Sequence, residues 1–118
     1  MTPEQALTID IESFAPLVNV VGKRVSPDFV REEKSLPGIA YQRVDTSYFH
    51  TIHSPASQSL STFEVYVMAK TRTESLQVGD LFDAAMREAK RYCGNRRSEF
   101  DADYDIWSSV FTVSVFVP

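Results

Sequence analysis

Apolar and polar residues alternate with a period of two from Phe63 to Ala69. Phe63, Val65, Val67 and Ala69 fall on one side, and Glu64, Tyr66 and Met68 on the other, with Lys70 following in their phase. That pattern predicts a half-buried strand. At Thr71 the period changes. Thr71-Arg72-Thr73-Glu74 fits a capping box, in which a hydroxyl and a carboxylate satisfy orphan amides at a helix start. Val78, Leu81, Phe82, Ala85, Ala89 and Tyr92 then recur at helical spacing. Gly79 interrupts the run and costs about 1 kcal/mol relative to alanine. Asp80 can act as a second cap there, which would start the main helix at Leu81. Lys90 and Arg91 suit the negative end of a helix, and Gly94 suits its left-handed terminus.

The flanks are organised around this strand, turn and helix. Thr2-Pro3-Glu4-Gln5 signals a helix start, and Leu7, Ile11 and Phe14 share one face of that helix. Pro16 ends or restarts it, and Gly22 reads as the left-handed cap of a helical turn over Leu17 to Val21. A short strand at Lys23 to Ser26 stops at Pro27. Residues 27 to 38 read as irregular, with a mixed charge run at Arg31 to Lys34 and a turn signal at Leu36-Pro37-Gly38. Ile39 to Thr46 predicts a strand. His50 to Ser61, rich in serine and containing Pro55, predicts a long polar hairpin loop. Trp107 to Val117 is a strong strand, with Trp107, Phe111, Val113, Val115 and Val117 in one phase. The apolar phase shifts between Ile106 and Trp107, which a bulge or a loop end there would explain. This order predicts one α+β domain over residues 1 to 118. Its mixed or antiparallel sheet of about four strands would pack on an N-terminal helix and one long helix after the central strand.

Composition narrows the function. Hydrophobic residues make up 43% of the 118, enough for a core without staples. The net charge of -4 disfavours a free-standing nucleic-acid binder, which is usually basic. One cysteine, Cys93, excludes an intrachain disulfide and reads as a small half-buried hydrophobe. No apolar run has the roughly 18 residues a membrane span needs, and no secretory signal is visible. A soluble intracellular or assembly protein is expected.

Candidate chemistry is sparse. His50 and His53 stand three apart, but Ser, Thr and Pro surround them. On a strand such rings point to opposite faces, so solvated histidines are favoured over a zinc site. Asp101, Asp103 and Asp105 match the first three ligand positions of a calcium loop. Ile106 stands where that loop needs glycine and Thr112 where it needs glutamate, so a polar loop or acidic strand face is favoured. If Glu99, Asp101, Asp103 and Asp105 share a face, they form a negative patch that repels DNA phosphates or meets a basic partner. Arg96-Arg97 reads as a solvated turn. There is no nucleophile elbow and no grouped glycine for phosphate. No catalytic, metal or cofactor site is assigned.

The order of these features resembles the tail-terminator, or tail-completion, family of long-tailed bacteriophages. The resemblance rests on Val21-Gly22-Lys23-Arg24-Val25, on the Leu36-Pro37 strand entry, and on Phe63 to Ala69 leading through a Thr/Glu turn into a helix. It spans about residues 6 to 117, and its motifs carry no catalytic signature. It implies a structural protein, not an enzyme, forming a ring, usually hexameric, on the end of the tail tube. Such a ring stops tube polymerisation and joins the tail to a neck or head–tail connector protein. DNA passes through its lumen without specific binding, and the setting is the virion tail or neck, assembled in the bacterial host cytoplasm. Assembly or lumen contacts are expected at Ser57, Gln58 and Ser59 and at Glu99, Asp101, Asp103 and Asp105. Two alternatives stay open. One is a head–tail connector of the same neck. The other is a small dimeric α+β enzyme or ligand-binding domain, which would need His50, His53, Tyr66 or Asp105 in a pocket between sheet and helix.

Overall fold

The computed structural model describes residues 2–22, 24–27, 36–51 and 54–117, and of these the side chains of 47–51, 54–58 and 117 lie outside the described set. The charge run at Arg31 to Lys34, residue Lys23 and His53 also fall outside it. The chain opens on α1 (Pro3–Glu12). The Thr2 hydroxyl accepts from the Gln5 N–H and the Gln5 side chain accepts from the Thr2 N–H, completing the expected capping box. Pro16 restarts the chain as α2 (Ala15–Val21), because proline needs no N–H in a first turn. Gly22 ends α2 with φ +57, which glycine adopts without a Cβ clash.

Arg24 explains the Val-Gly-x-Arg-Val segment. Its guanidinium donates to the Val20 carbonyl at 2.7 Å and to the Pro37 carbonyl at 2.8 Å. One side chain thus closes the end of α2 and holds the entry to the sheet. The brief strand β1 (Val25–Ser26) follows and pairs in parallel with Ile39 and Ala40 of β2 (Gly38–Thr51). Strands β3 (Ser54–Ala69), β4 (Tyr92–Asp101) and β5 (Ile106–Val117) complete a five-stranded mixed sheet, order β1-β2-β3-β5-β4. The fold is α+β.

The long helix α3 (Arg72–Glu88) runs unbroken through Gly79, so Asp80 is not a second cap. The Thr71 hydroxyl accepts from the Glu74 N–H at 3.1 Å. Gly79 is buried where an added Cβ would stand 3.1 Å from Ser109, so close approach of helix to sheet, not a break, accounts for that glycine. Nor does Gly94 end the helix. Lys90 takes the left-handed conformation, φ +59. The Lys90 N–H reaches the Arg87 carbonyl and the Arg91 N–H reaches the Met86 carbonyl, a Schellman closure. The chain can then turn at once, and Gly94 lies within β4.

The helices cover one face of the sheet. Phe63, Val65 and Val67 of β3 and Phe111, Val113 and Val115 of β5 pack with Leu7, Ile11, Leu17, Val21, Val78, Phe82, Ala85 and Met86. Phe82 and Phe111 rings lie 5.0 Å apart. The phase change at Ile106 needs no bulge, because β5 pairs regularly there, Ile106 with Asp101 and Trp107 with Phe100. Ile106 faces away from the helices into a second small cluster with Ala40 and Met68.

One expected loop is a strand pair. β2 continues to Thr51 and β3 begins at Ser54, so most of the His50 to Ser61 segment is ladder. Backbone pairing needs no apolar side chains. The register slips between Phe49 and Thr51, opposite Pro55, which cannot donate to a ladder. β5 stops opposite Ser59, so beyond it β2 and β3 pair only with each other. This distal ribbon, about 17 Å long at strand rise, stretches the molecule to 52 × 29 × 21 Å.

Candidate functional site

The sheet face away from the helices carries a buried patch that includes Ala40, Met68, Ile106 and Val110, with polar, partly exposed residues beside it. Strand alternation places Gln42 and Asp45 of β2, Thr62, Glu64 and Tyr66 of β3, Thr112 and Ser114 of β5, and Arg97 and Glu99 of β4 there. Arg97 links a carboxylate of its own strand to one on β3, across β5. It donates to Glu64 at 2.7 Å and to Glu99 at 2.9 Å. These two hydrogen bonds raise the Arg97 pKa, so the guanidinium stays charged throughout. Beside it a concavity of about 440 Å³ is lined by Tyr66, Met68, Glu99, Asp101, Asp103 and Ser108, among others. Burial, then the charges of Glu64 and Glu99, push the Tyr66 phenol above its ordinary value of 10.0.

The acidic residues divide. Glu99 and Asp101 lie on β4, and Asp103 stands in the turn, where its N–H donates to Asp101 Oδ1 at 3.1 Å. These three border the concavity. Asp105, at φ +53, instead borders a smaller hollow with Leu36, Lys70 and Tyr104. Ser57, Gln58 and Ser59 are strand residues of β3, not a loop tip; Gln58 pairs with Phe49, and Ser59 with both Tyr48 and Val117.

Among the described residues, the named candidates do not converge. His50 sits on the ribbon, nine residues along β2 from Tyr41, while Tyr66 pairs beside Ala40. At about 3.3 Å per residue that is about 30 Å of strand. Asp105 opens on a different hollow again. Among the described residues, no group of three His, Cys, Asp or Glu side chains is placed to hold a metal ion. Burial, with Asp83 nearby, pushes the Cys93 thiol up to about 12, which makes it a poor nucleophile.

Two functional features escaped the sequence. Arg96-Arg97 is not a turn but a β-bulge in β4, with Asn95 at φ +52. The bulge sends the two arginines to opposite faces. Arg96 reaches Asp80 at 2.6 Å and the Leu76 carbonyl at 3.0 Å, and lies over the Phe111 ring. The second feature is a pair of sheet edges that no described strand covers. Asn95 to Phe100 of β4 are exposed, as are Gln42 to Asp45 of β2 beyond the two residues that β1 covers. Asn95 before two arginines was the one available signal for the bulge, because asparagine tolerates positive φ.

Helices on one side of a mostly antiparallel sheet, with edges that no described strand covers, define an α+β fold. No family model matches the sequence, and no curated protein does. Among solved structures, a chain of the virion of a native gene transfer agent particle has a similar fold, with a TM-score of 0.57 and 13% identity. The likeness covers 97% of this chain and 94% of that one. At that identity it is a likeness of fold.

Proposed function

We propose that this chain is a virion structural protein, and more narrowly a tail terminator: a ring on the end of a tail tube that stops tube growth and offers the head–tail joining surface. The observation that carries the reading is the end-to-end fold likeness to a chain of a gene transfer agent virion, which leaves neither chain with a large unmatched part. The partly exposed sheet face, the open edges and the projecting ribbon support it, since each exposes backbone or polar surface that a subunit or tube contact would cover. The partners are further copies of the chain, the tube protein, and a neck or connector protein. The acidic balance suits a lumen through which DNA passes unheld. The Glu99, Asp101 and Asp103 rim and the Ser57 to Ser59 stretch of the ribbon are the proposed contact residues, with Asp105 on the neighbouring hollow.

Negative-stain imaging and light scattering of the protein mixed with tail tubes test this. Rings seated on tube ends, and tubes that no longer elongate, are expected. Protein that leaves tube ends bare and elongating would count against a terminator; binding to portal complexes instead would make it a connector.

A further inference from the structure

Among the described residues, both long edges of the sheet lack a neighbouring strand, and they match. β1 takes only Ile39 and Ala40 of β2, leaving the strand from Tyr41 onward without a neighbouring strand on that side among the described residues. The Ile39 N–H points outward, to the Arg24 carbonyl at 2.8 Å. By alternation, the backbone groups of Tyr41 and Arg43 point outward too. At the other edge lies β4, ten residues long and antiparallel to β5. β2 and β5 both run antiparallel to β3, so β4 runs opposite to β2. A second copy, translated and rotated with its helices on the same side, therefore brings its β2 antiparallel to β4 of the first.

We infer that the chain assembles by β4 of one copy adding to the open edge of β2 of the next, Phe100 opposite Tyr41 and Arg97 opposite Asp45. One register brings four compatible pairs together. Tyr41 and Phe100 both lie on the helix-covered side, paired with Val65 and Trp107 respectively. Phe100 is 46% exposed and already held against Trp107, ring centroids 4.7 Å apart. It enters beside a hollow lined by Tyr41, Ile9, Thr8, Gln5 and Glu4. Gln42 then faces Glu99, Arg43 faces Ser98 and Asp45 faces Arg97, so no like charges oppose each other. Val44 is left over, as it is in the ladder with β3, whose register shifts between Arg43 and Asp45. The pairing starts at Tyr41, where β1 ends. It also carries a stagger: within one copy Tyr41 is level with Val65 and Phe111, whereas Phe100 is level with Trp107, four residues along β5. Four residues of stagger over the four strands β2, β3, β5 and β4 is the same ratio as the shear-8, eight-stranded barrel, whose strands tilt by about 36°. A closed sheet needs such a stagger, and in the ring inferred here the face away from the helices lies inward. The inference builds on the ring reading and specifies its contact.

Gln42→Cys with Glu99→Cys, in a Cys93→Ser background, tests it. Within one copy these positions are three strand spacings apart, about 14 Å, beyond the roughly 7 Å that a disulfide spans. Mild oxidation of folded protein, checked by circular dichroism, is expected to give a ladder of covalent multimers on denaturing gels. Asp45→Cys with Glu99→Cys, about three residues out of register, is expected to give at least tenfold less. Equal ladders from both pairs overturn the register. A multimer in solution that Gln42→Cys and Glu99→Cys never link overturns the edge contact but leaves a ring by another surface. A monomer with no ladder at the highest soluble concentration overturns the inference, while capping of tube ends judges the ring reading separately.

Discussion

The two faces of β3 and β5 are built from alternate residues of the same strands, yet they obey different rules. On the covered face, Phe63, Val65, Phe111 and Val113 are essentially inaccessible, and α3 presses close enough to need Gly79. On the other face, Thr62, Glu64, Tyr66, Thr112 and Ser114 keep partial contact with water. The first face makes the domain; the second is free to meet something else. Arg96 and Arg97 show the contrast at adjacent positions. One spans helix and sheet over an aromatic ring, and the other is held in a surface ion chain.

The contrast between the faces is tested most strongly at Phe82. Its ring is fully buried against Phe111. Phe82→Ala is expected to cost about 3–5 kcal/mol, by loss of transfer free energy and the cavity left behind. Denaturant unfolding measures it, and a loss below about 1 kcal/mol would mean the core is not packed as described. Next come the two arginines. Arg96→Ala removes a hydrogen bond to the Leu76 carbonyl, an ion pair and a ring contact, and is expected to cost about 1–2 kcal/mol. Arg97→Ala removes only exposed ion pairs, and about 0–1 kcal/mol is expected. Equal losses would erase the distinction between the faces.

A further effect is one of pH. Cys93 lies on the covered face and keeps its proton up to about pH 12, whereas its ordinary value is 9.0. Between those values the folded chain holds a proton that the unfolded chain has released. Its contribution is full below pH 9 and is lost as pH rises toward 12. Tyr66, also raised, acts with the same sign above pH 10. Unfolding midpoints from pH 8 to 11 should therefore fall, and less steeply in Cys93→Ser. A slope unchanged by that substitution would place the thiol in water.

Sequence signals were clearest where the cause is local. The capping hydroxyls at Thr2 and Thr71 act within three residues, and Phe63 to Ala69 alternates because one side is buried. The ribbon was hidden because β2 and β3 pair there through backbone groups, which a Ser- and Thr-rich stretch does not mark in sequence. β4 was hidden for a related reason: its residues from Asn95 to Phe100 are exposed, so Arg96 and Arg97 read as a turn. Lys90 takes the left-handed terminus expected of Gly94, and Gly79 serves close packing in place of the expected break. Of the surface residues expected to matter, Glu99, Asp101 and Asp103 do gather around one concavity, since strand and turn place them within five positions. The open edges themselves had no sequence mark, being defined by what does not pair.

The β4 bulge bears on how such a chain stays in solution before it meets a partner. A regular strand laid against β4 can match Tyr92 to Gly94 or Arg97 to Asp101, but the shift at Asn95–Arg96 prevents both in one alignment. Val44 sets the same condition on the other edge. Stray extended segments therefore gain only a few bonds and fall away, which blunts the template that open strands offer to aggregation. A single extra residue on each margin acts as a toll on indiscriminate stacking, lifted only for a margin of matching irregularity.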